Sequence, residues 1–440
     1  LAAIVLLTVP ASAASSGSTL KIICADAGQV IFTPPGSTQY AYRYGPAILI
    51  DGDRIDIWAS APPLVSNGVR YGNDSIEYIR STDGGKTWTE WKTVLYPTLN
   101  SEDQWSTCDP GAFKYGDYYY VGYTGSPEFR TNPDKEKQVN NLFIARAKNP
   151  EGPYEKWNGN GWGGDPYAIT RYSGDGVGCS MPSFTVKGDT LYMYYVDQTH
   201  PDQDWNSEGN ISVSTFSLKD PNWPGNELSN KMCENKPEEV RYCPDIDKFI
   251  GFQLKGGWDY DSYVEIYEST DGVNFTKTSS FRNNFPHYAH NIGISGNNLG
   301  QLDLSIQNYI GTAYTPTGVE AWWGHWHTQL IPLYIREEQP SPTTSSQPSG
   351  STDSSSRKPT TSSVGSTDGE SSETEVSEPQ NSNIESTVSD DKDKDKEVNN
   401  KTEQQEETSY LWLYIVIGAV VVLAGAGTAV YFLVIKKKHV

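Results

Sequence analysis

Three times in this chain a proline leads a hairpin whose turn holds glycine and aspartate. The first runs Gly45-Pro46-Ala47-Ile48-Leu49-Ile50-Asp51-Gly52-Asp53-Arg54-Ile55. The second is Asp109-Pro110-Gly111-Ala112-Phe113-Lys114-Tyr115-Gly116-Asp117-Tyr118-Tyr119, and the third Met181-Pro182-Ser183-Phe184-Thr185-Val186-Lys187-Gly188-Asp189-Thr190-Leu191. Each return strand begins nine residues after its proline, and the prolines lie 64 and 72 residues apart. A Gly-Asp turn between apolar runs is a hairpin signal. Further strands follow each unit, at 75–80 and 88–95, at 141–147 and 154–157, and at 210–218. A less regular fourth set covers 240–242, 249–254, 263–269 and 275–279, and a fifth runs from His290 to Pro332. Five sets of about four antiparallel strands predict an all-β fold, a five-bladed β-propeller. A plain sandwich does not explain the repeated proline-led hairpin. The 28 Tyr and 13 Trp against 3 Met fit aromatic packing between β-sheets.

Two turns add weight. Ser81-Thr82-Asp83-Gly84-Gly85-Lys86-Thr87-Trp88 fits the Asp-box pattern, and Ser269-Thr270-Asp271-Gly272-Val273-Asn274-Phe275 is a shortened version. In such a turn the Asp accepts backbone amides and the aromatic ring packs beneath. This is a structural role and carries no catalysis.

The propeller is expected over residues 14–339. Residues 1–13, apolar and closing on Ala11-Ser12-Ala13, read as part of a signal peptide. Residues 340–409 hold 15 acidic and 6 basic side chains among Ser, Thr and Pro, and predict a disordered, extended stalk. Residues 410–435 are apolar and uncharged, long enough for one transmembrane helix. Lys436-Lys437-Lys438 follows in the tail 436–440 and places that end in the cytoplasm. The expectation is a single-pass cell-membrane protein with its large N-terminal domain outside. A net charge of -21 argues against nucleic acid as a partner. Outside the cell disulfides are permitted. Cys233 and Cys243 could staple a loop, Cys108 and Cys179 could pair across repeats, and Cys24 would be left over. Spacing does not decide connectivity and suggests no zinc site.

In a propeller the innermost strands start at one face and the second strands return to it. That mouth is expected to gather Arg43 to Gly45, Trp105 to Asp109, Cys179 to Met181, His290 and Asn291 with Ser60, Thr124 to Glu128, Asp197 to His200 and Gln253. Ligands bind where such loops converge.

Asp-Pro-x-x-Phe-x-x-Gly-x-Tyr-Tyr-Tyr at 109–120 resembles the blade-opening motif of five-bladed glycosidases of glycoside hydrolase family 43 and its relatives. The resemblance implies work on carbohydrate. It also implies three carboxylates opening the first three inner strands: a general base, a tuning and orienting group, and a general acid. Here Gly45 takes the first place, Asp109 the second, and Ser180 or Met181 the third. Hydrolysis needs a second carboxylate, so the mouth must supply it from elsewhere. Asp197, ending a return strand, is the first candidate, and Glu128 the second. Tyr42-Arg43-Tyr44-Gly45-Pro46-Ala47-Ile48 is also similar to the sialidase motif, which would make Arg43 a carboxylate ligand, with Arg241 and Arg282 as further contributors. Tyr44, Trp105 and Trp258 could stack on sugar rings. His290 opens the last inner strand, where the family resemblance implies a residue able to approach a central metal ion. No other cofactor is expected. Trp322-Trp323-Gly324-His325-Trp326-His327 reads as packing at the propeller closure. The expected function is thus a cell-surface glycosidase. The alternatives are a non-catalytic glycan-binding adhesin and a sialidase.

Overall fold

A computed structural model describes residues 18–35, 41–132, 135–172, 177–199, 209–316 and 326–338; for 129–132 and 135–138 only the backbone is described. The stalk, the apolar segment 410–435, the N-terminal segment 1–13, His200, His325 and Trp322 to Gly324 lie outside the described residues. Among the described residues no helix is long and apolar enough to cross a membrane.

The strands form five four-stranded antiparallel blades. Blade one pairs Tyr44–Asp51, Arg54–Ala61, Ser75–Ser81 and Lys92–Leu95 in that order. Blade two orders Ser106–Tyr115, Tyr118–Ser126, Asn141–Ala147 and Glu155–Lys156. Blade three orders Gly178–Lys187, Thr190–Gln198, Asn210–Ser217 and Glu227–Met232. Blade four orders Glu239–Cys243, Lys248–Lys255, Tyr263–Ser269 and Thr276–Phe281. Blade five orders Ala289–Gly296, Asn308–Tyr314 and His327–Glu338, and its outermost strand is Thr19–Cys24 from the N-terminal side. Sequence reading had not assigned that last strand, which closes the ring between the two ends of the domain. Its signal was present: Leu20, Ile22 and Cys24 alternate inward with exposed residues between them.

The core is a ring of interblade clusters rather than one centre. Trp58, Tyr78 and Leu49 of blade one pack on Val121, Tyr123 and Phe143 of blade two. Phe113 and Ile144 of blade two meet Phe184 and Met193 of blade three. Tyr194 and Val213 meet Phe249 and Phe275 of blade four. Ile250 and Phe252 meet Ile294 and Ile310 of blade five, whose Leu330 meets Ile48 and Ile57 of blade one. The chain of contacts therefore closes on itself. At the axis the inner strands approach so closely that a Cβ on Gly293 would fall 1.6 Å from the Pro46 carbonyl oxygen.

Both Asp boxes form. Asp83 accepts the Thr87 amide at 2.9 Å and the Thr87 hydroxyl at 2.7 Å, while Trp88 packs below. These bonds hold the Asp83 carboxyl down at about 2. Asp271 accepts the amides of Val273 and Asn274, over buried Phe275.

The expected cysteine pairings do not occur. All five cysteines are free and buried. Cys233 packs between blades three and four while Cys243 packs between blades four and five. Cys108 and Cys179 likewise sit in separate clusters. Matching positions in successive repeats are separated by a blade's width of packed side chains, so equivalence in the repeat does not bring two sulfurs together.

Candidate functional site at the propeller mouth

Four inner strands open on the same irregularity. The ladder to the second strand slips between Tyr44 and Ala47, opposite Asp109 and Pro110, between Ser180 and Ser183, and between His290 and Ile292. Each slip leaves one residue in the left-handed region: Gly45 at φ 57°, Asp109 at 48°, Met181 at 58° and Asn291 at 56°. Glycine takes this conformation freely, whereas other residues pay roughly 1–2 kcal/mol. A residue before proline is further biased toward extended backbone, so Asp109 and Met181 are held against their preferences. Strain kept at one end of three blades makes that end the candidate functional surface. The geometry also resolves the third position, since Met181 rather than Ser180 is the equivalent of Asp109.

Neighbouring blades hold these residues in place. The Ser60 hydroxyl, ending the second strand of blade one, accepts the Asp109 amide at 2.7 Å. Thr124 Oγ1, in the second strand of blade two, accepts the Met181 amide at 2.9 Å. The expected meeting of inner-strand starts with second-strand ends is therefore present, one blade out of step.

Asp109 keeps part of its surface exposed. Its carboxylate accepts the Cys108 thiol at 3.4 Å and is hydrogen-bonded by Thr124. Its Oδ1 lies 3.5 Å from where a Cβ on Gly45 would stand. Burial, reinforced by the charge of Asp74, pushes its pKa up to about 6 against those two donors. Asp74 is the carboxylate that sequence reasoning missed. It is buried, and it accepts hydrogen bonds from Tyr42 Oη at 2.5 Å, Ser106 Oγ at 2.9 Å and Asn73 Nδ2 at 3.1 Å. Burial raises its pKa despite these donors. Nothing local in the sequence ties Asp74 to Tyr42 or Ser106, each 32 residues away.

An aromatic wall adjoins the acid. The His290 ring lies 4.1 Å from Trp258, 4.4 Å from Trp326 and 5.6 Å from Tyr44, centroid to centroid. Tyr44 meets Trp326 edge-on at 5.3 Å. Tyr44 also interacts electrostatically with Asp74, Cys108 and Asp109, so it joins wall and acid. Trp258 has φ 72° and is 38% exposed, which presents its indole to solvent. Burial lowers the His290 pKa to about 3, so the ring is neutral at physiological pH. Asn291 Oδ1 is buried without a hydrogen-bond partner among the described residues, while its amide nitrogen lies 3.6 Å from Met181 Sδ.

The other expected site residues sit elsewhere or serve other groups. Asp197 accepts the Thr199 amide and the Ser212 hydroxyl, each at 3.1 Å, and pairs across the ladder with Cys179. Its bonds stay within blade three, and its partner Cys179, two residues before Met181, places it at the mouth end of that blade. Glu128 is exposed beyond the end of the second strand of blade two. Trp105 is partly buried, and its backbone links Ser126 and Asn73. Arg43 pairs with Glu77, donates to the Tyr42 carbonyl and lies over Phe32 and Trp91. Arg241 is enclosed by Glu239, Ser183 and the Ile294 carbonyl, and Arg282 bonds the Phe285 carbonyl and His287. These three guanidinium groups have separate partners. The ring neighbours of His290 are Trp258, Trp326 and Tyr44. Among the described residues no group of three His, Cys, Asp or Glu side chains is arranged to hold a metal ion.

Fold and mouth together define a five-bladed β-propeller with a partly exposed acid, Asp109, beside an aromatic wall. No protein-family model matches the chain, and no curated protein matches it. Solved structures of similar fold include the α-L-arabinofuranosidase of Podospora anserina in complex with cellotriose, at 11% identity and TM-score 0.46, covering 72% of this chain and 98% of that one. A family 117 glycoside hydrolase of Zobellia galactanivorans is 15% identical with TM-score 0.47, covering 73% and 92%. A thermostable family-43 glycoside hydrolase is 13% identical with TM-score 0.47, covering 72% and 98%. The blade assignment rests on the strand pairing described above.

Proposed function

We propose that the chain is a cell-surface, glycoside hydrolase-like protein whose propeller mouth binds extracellular glycans, anchored through residues 410–435. The observation that carries this is the pairing of a strained, half-desolvated Asp109 with the exposed indole of Trp258 beside Tyr44 and His290. Apolar sugar faces stack on such rings, while sugar hydroxyls need acceptors such as the Asp109 carboxylate. Hydrolysis asks for two carboxyl groups roughly 5–10 Å apart across the scissile bond. The first and third blades offer Gly45 and Met181, and Asp74 is sealed by three donors. This favours recognition without turnover. The hydrolase reading stands second, supported by the Asp109 carboxyl at about 6, a range suited to a general acid.

The test pairs a glycan array with a panel of aryl glycosides, using wild type, Asp109→Ala and Trp258→Ala. Recognition predicts array binding, no turnover, and about tenfold weaker binding for Trp258→Ala, equivalent to about 1.4 kcal/mol. Trp258 also packs on His290 and Trp326, so the variant's melting temperature is measured alongside to separate lost binding from lost stability. Turnover lost in Asp109→Ala would establish the hydrolase instead. Wild type neither binding nor cleaving any glycan would sink both.

A further inference from the structure

The opposite face of the propeller carries a cavity of about 290 Å³ between blades one and two. It lies at the far end of the inner strand that Asp109 opens. Gly116 at that turn is seven residues on from Asp109, which at ~3.3 Å per residue puts it about 23 Å from the mouth. Four cations line it: Arg54, Arg80, Lys114 and Lys148. Two carboxylates, Asp117 and Glu151, share the rim. Asp56, beside both Arg54 and Arg80, offsets a third charge, which still leaves a local excess of cations in a chain of net charge -21.

The protein satisfies these cations incompletely. Arg54 Nε pairs with Asp56 at 2.8 Å, but its Nη2 is buried with no hydrogen-bond partner among the described residues. Arg80 Nε is buried and equally without a partner. Lys114 lies over the Tyr119 ring with its ammonium 5.0 Å from the centroid. Lys148 is exposed. The floor is rigid, because the Pro150 carbonyl accepts both Trp58 Nε1 at 3.1 Å and Tyr154 Oη at 2.8 Å. Two guanidinium and two ammonium groups lining one hollow suit a tetrahedral oxyanion, which can accept several charge-assisted hydrogen bonds at once.

We propose that this cavity binds a sulfate or phosphate monoester group, giving the propeller a second, anion-selective site on the face away from its mouth. The site shares no residue with the mouth, so either can fail alone.

The experiment follows thermal unfolding of the full-length protein in sodium sulfate, sodium phosphate or a sulfated disaccharide, each against sodium chloride of equal ionic strength. The expected result is a saturable rise in melting temperature with the oxyanions beyond that in chloride. Lys148→Glu and Lys114→Glu, both at the surface end of the cavity, should weaken the apparent affinity by about tenfold or more, and glycan-array binding at the mouth should stay unchanged. A response to sulfated disaccharide alone would identify a sulfated sugar as ligand, and a response to all three would identify the oxyanion group itself. Equal behaviour in chloride and oxyanion, or unaltered responses in both lysine variants, would overturn the proposal. The two lysine variants keep the test decisive even where Arg54→Gln or Arg80→Gln fails to fold.

Discussion

Asp109→Asn is expected to make the protein more stable at pH 7–8 while abolishing glycan binding. Folding raises the Asp109 pKa from the ordinary 3.8 to about 6, chiefly through burial and then through the charge of Asp74. Between those values the unfolded chain has released a proton that the folded protein still holds. Stability therefore falls as pH rises through this window, and the loss is fully present above about 6. At 1.36 kcal/mol per unit the shift corresponds to at most about 3 kcal/mol, and relaxation around a partly exposed group brings the expected gain to about 1–3 kcal/mol. Asparagine keeps an oxygen for the Cys108 thiol and for Thr124 but carries no charge. Urea midpoints of wild type and variant should converge near pH 4 and separate up to pH 8. The comparison must be the difference between the two, since Asp56 and Glu239 are also raised by burial and contribute equally to both curves, while Asp74, whose charge acts on Asp109, is relieved in the variant. A variant with the wild-type slope, or less stable at pH 8, would show that Asp109 is not held at a cost. A gain in stability with loss of binding is the signature of a group kept for function.

The second large effect concerns the segment that leads into the site. Lys156 Nζ donates to the Tyr96 carbonyl at 2.6 Å, to Thr98 Oγ1 at 3.0 Å and to Asp103 Oδ2 at 2.5 Å. Asp103 is fully buried and also accepts Tyr123 Oη at 2.9 Å and the Thr98 amide at 2.8 Å. This network pins residues 96–103, the crossing from the outer strand of blade one to the inner strand of blade two. Lys156→Met preserves the bulk but leaves a buried carboxylate without its cation. The expected loss is about 3–5 kcal/mol, read from urea denaturation at pH 7. Adding Asp103→Asn should restore part of it, since the unpaired charge goes. A loss below about 1 kcal/mol would mean that water reaches Asp103 in the folded protein. The crossing ends at Trp105, whose carbonyl accepts the Asn73 amide beside Asp74, so glycan binding should weaken along with stability.

Much of the fold was legible because a propeller repeats itself. Pro46, Pro110 and Pro182 mark the same place in three blades, and the Gly-Asp turns mark their inner hairpins. The fourth blade was weaker in sequence because its inner strand, Glu239–Cys243, lacks the leading proline and the left-handed bulge. The N-terminal strand was missed because its partner, His327–Glu338, lies some 300 residues away, and no local pattern reports such a pairing. The site was less legible. Asp109, Tyr44, Trp258 and His290 are recognisable as a strand-opening acid and exposed or ring-bearing loop residues. Asp197 and Glu128 were reasonable candidates by chain position, yet the hydrogen bonds of Asp197 remain within its own blade.

The chain's sequence alone determined the blade repeat, the Asp-box turns, the single acid among the three strand-opening positions, and the expectation of an acidic stalk with an apolar anchor. These are local or periodic properties, written in neighbouring residues. Only the tertiary structure decided which groups share an environment. It buried Asp74 under Tyr42 and Ser106 and set it beside Asp109. It also gave Arg43 to Glu77 and kept five cysteines apart. Proton affinity, pairing and strain depend on distance through space, and the ring of blades sets those distances. Asp109 was visible as a residue from the start; its raised pKa, its left-handed backbone and its aromatic neighbours come from the folded ring.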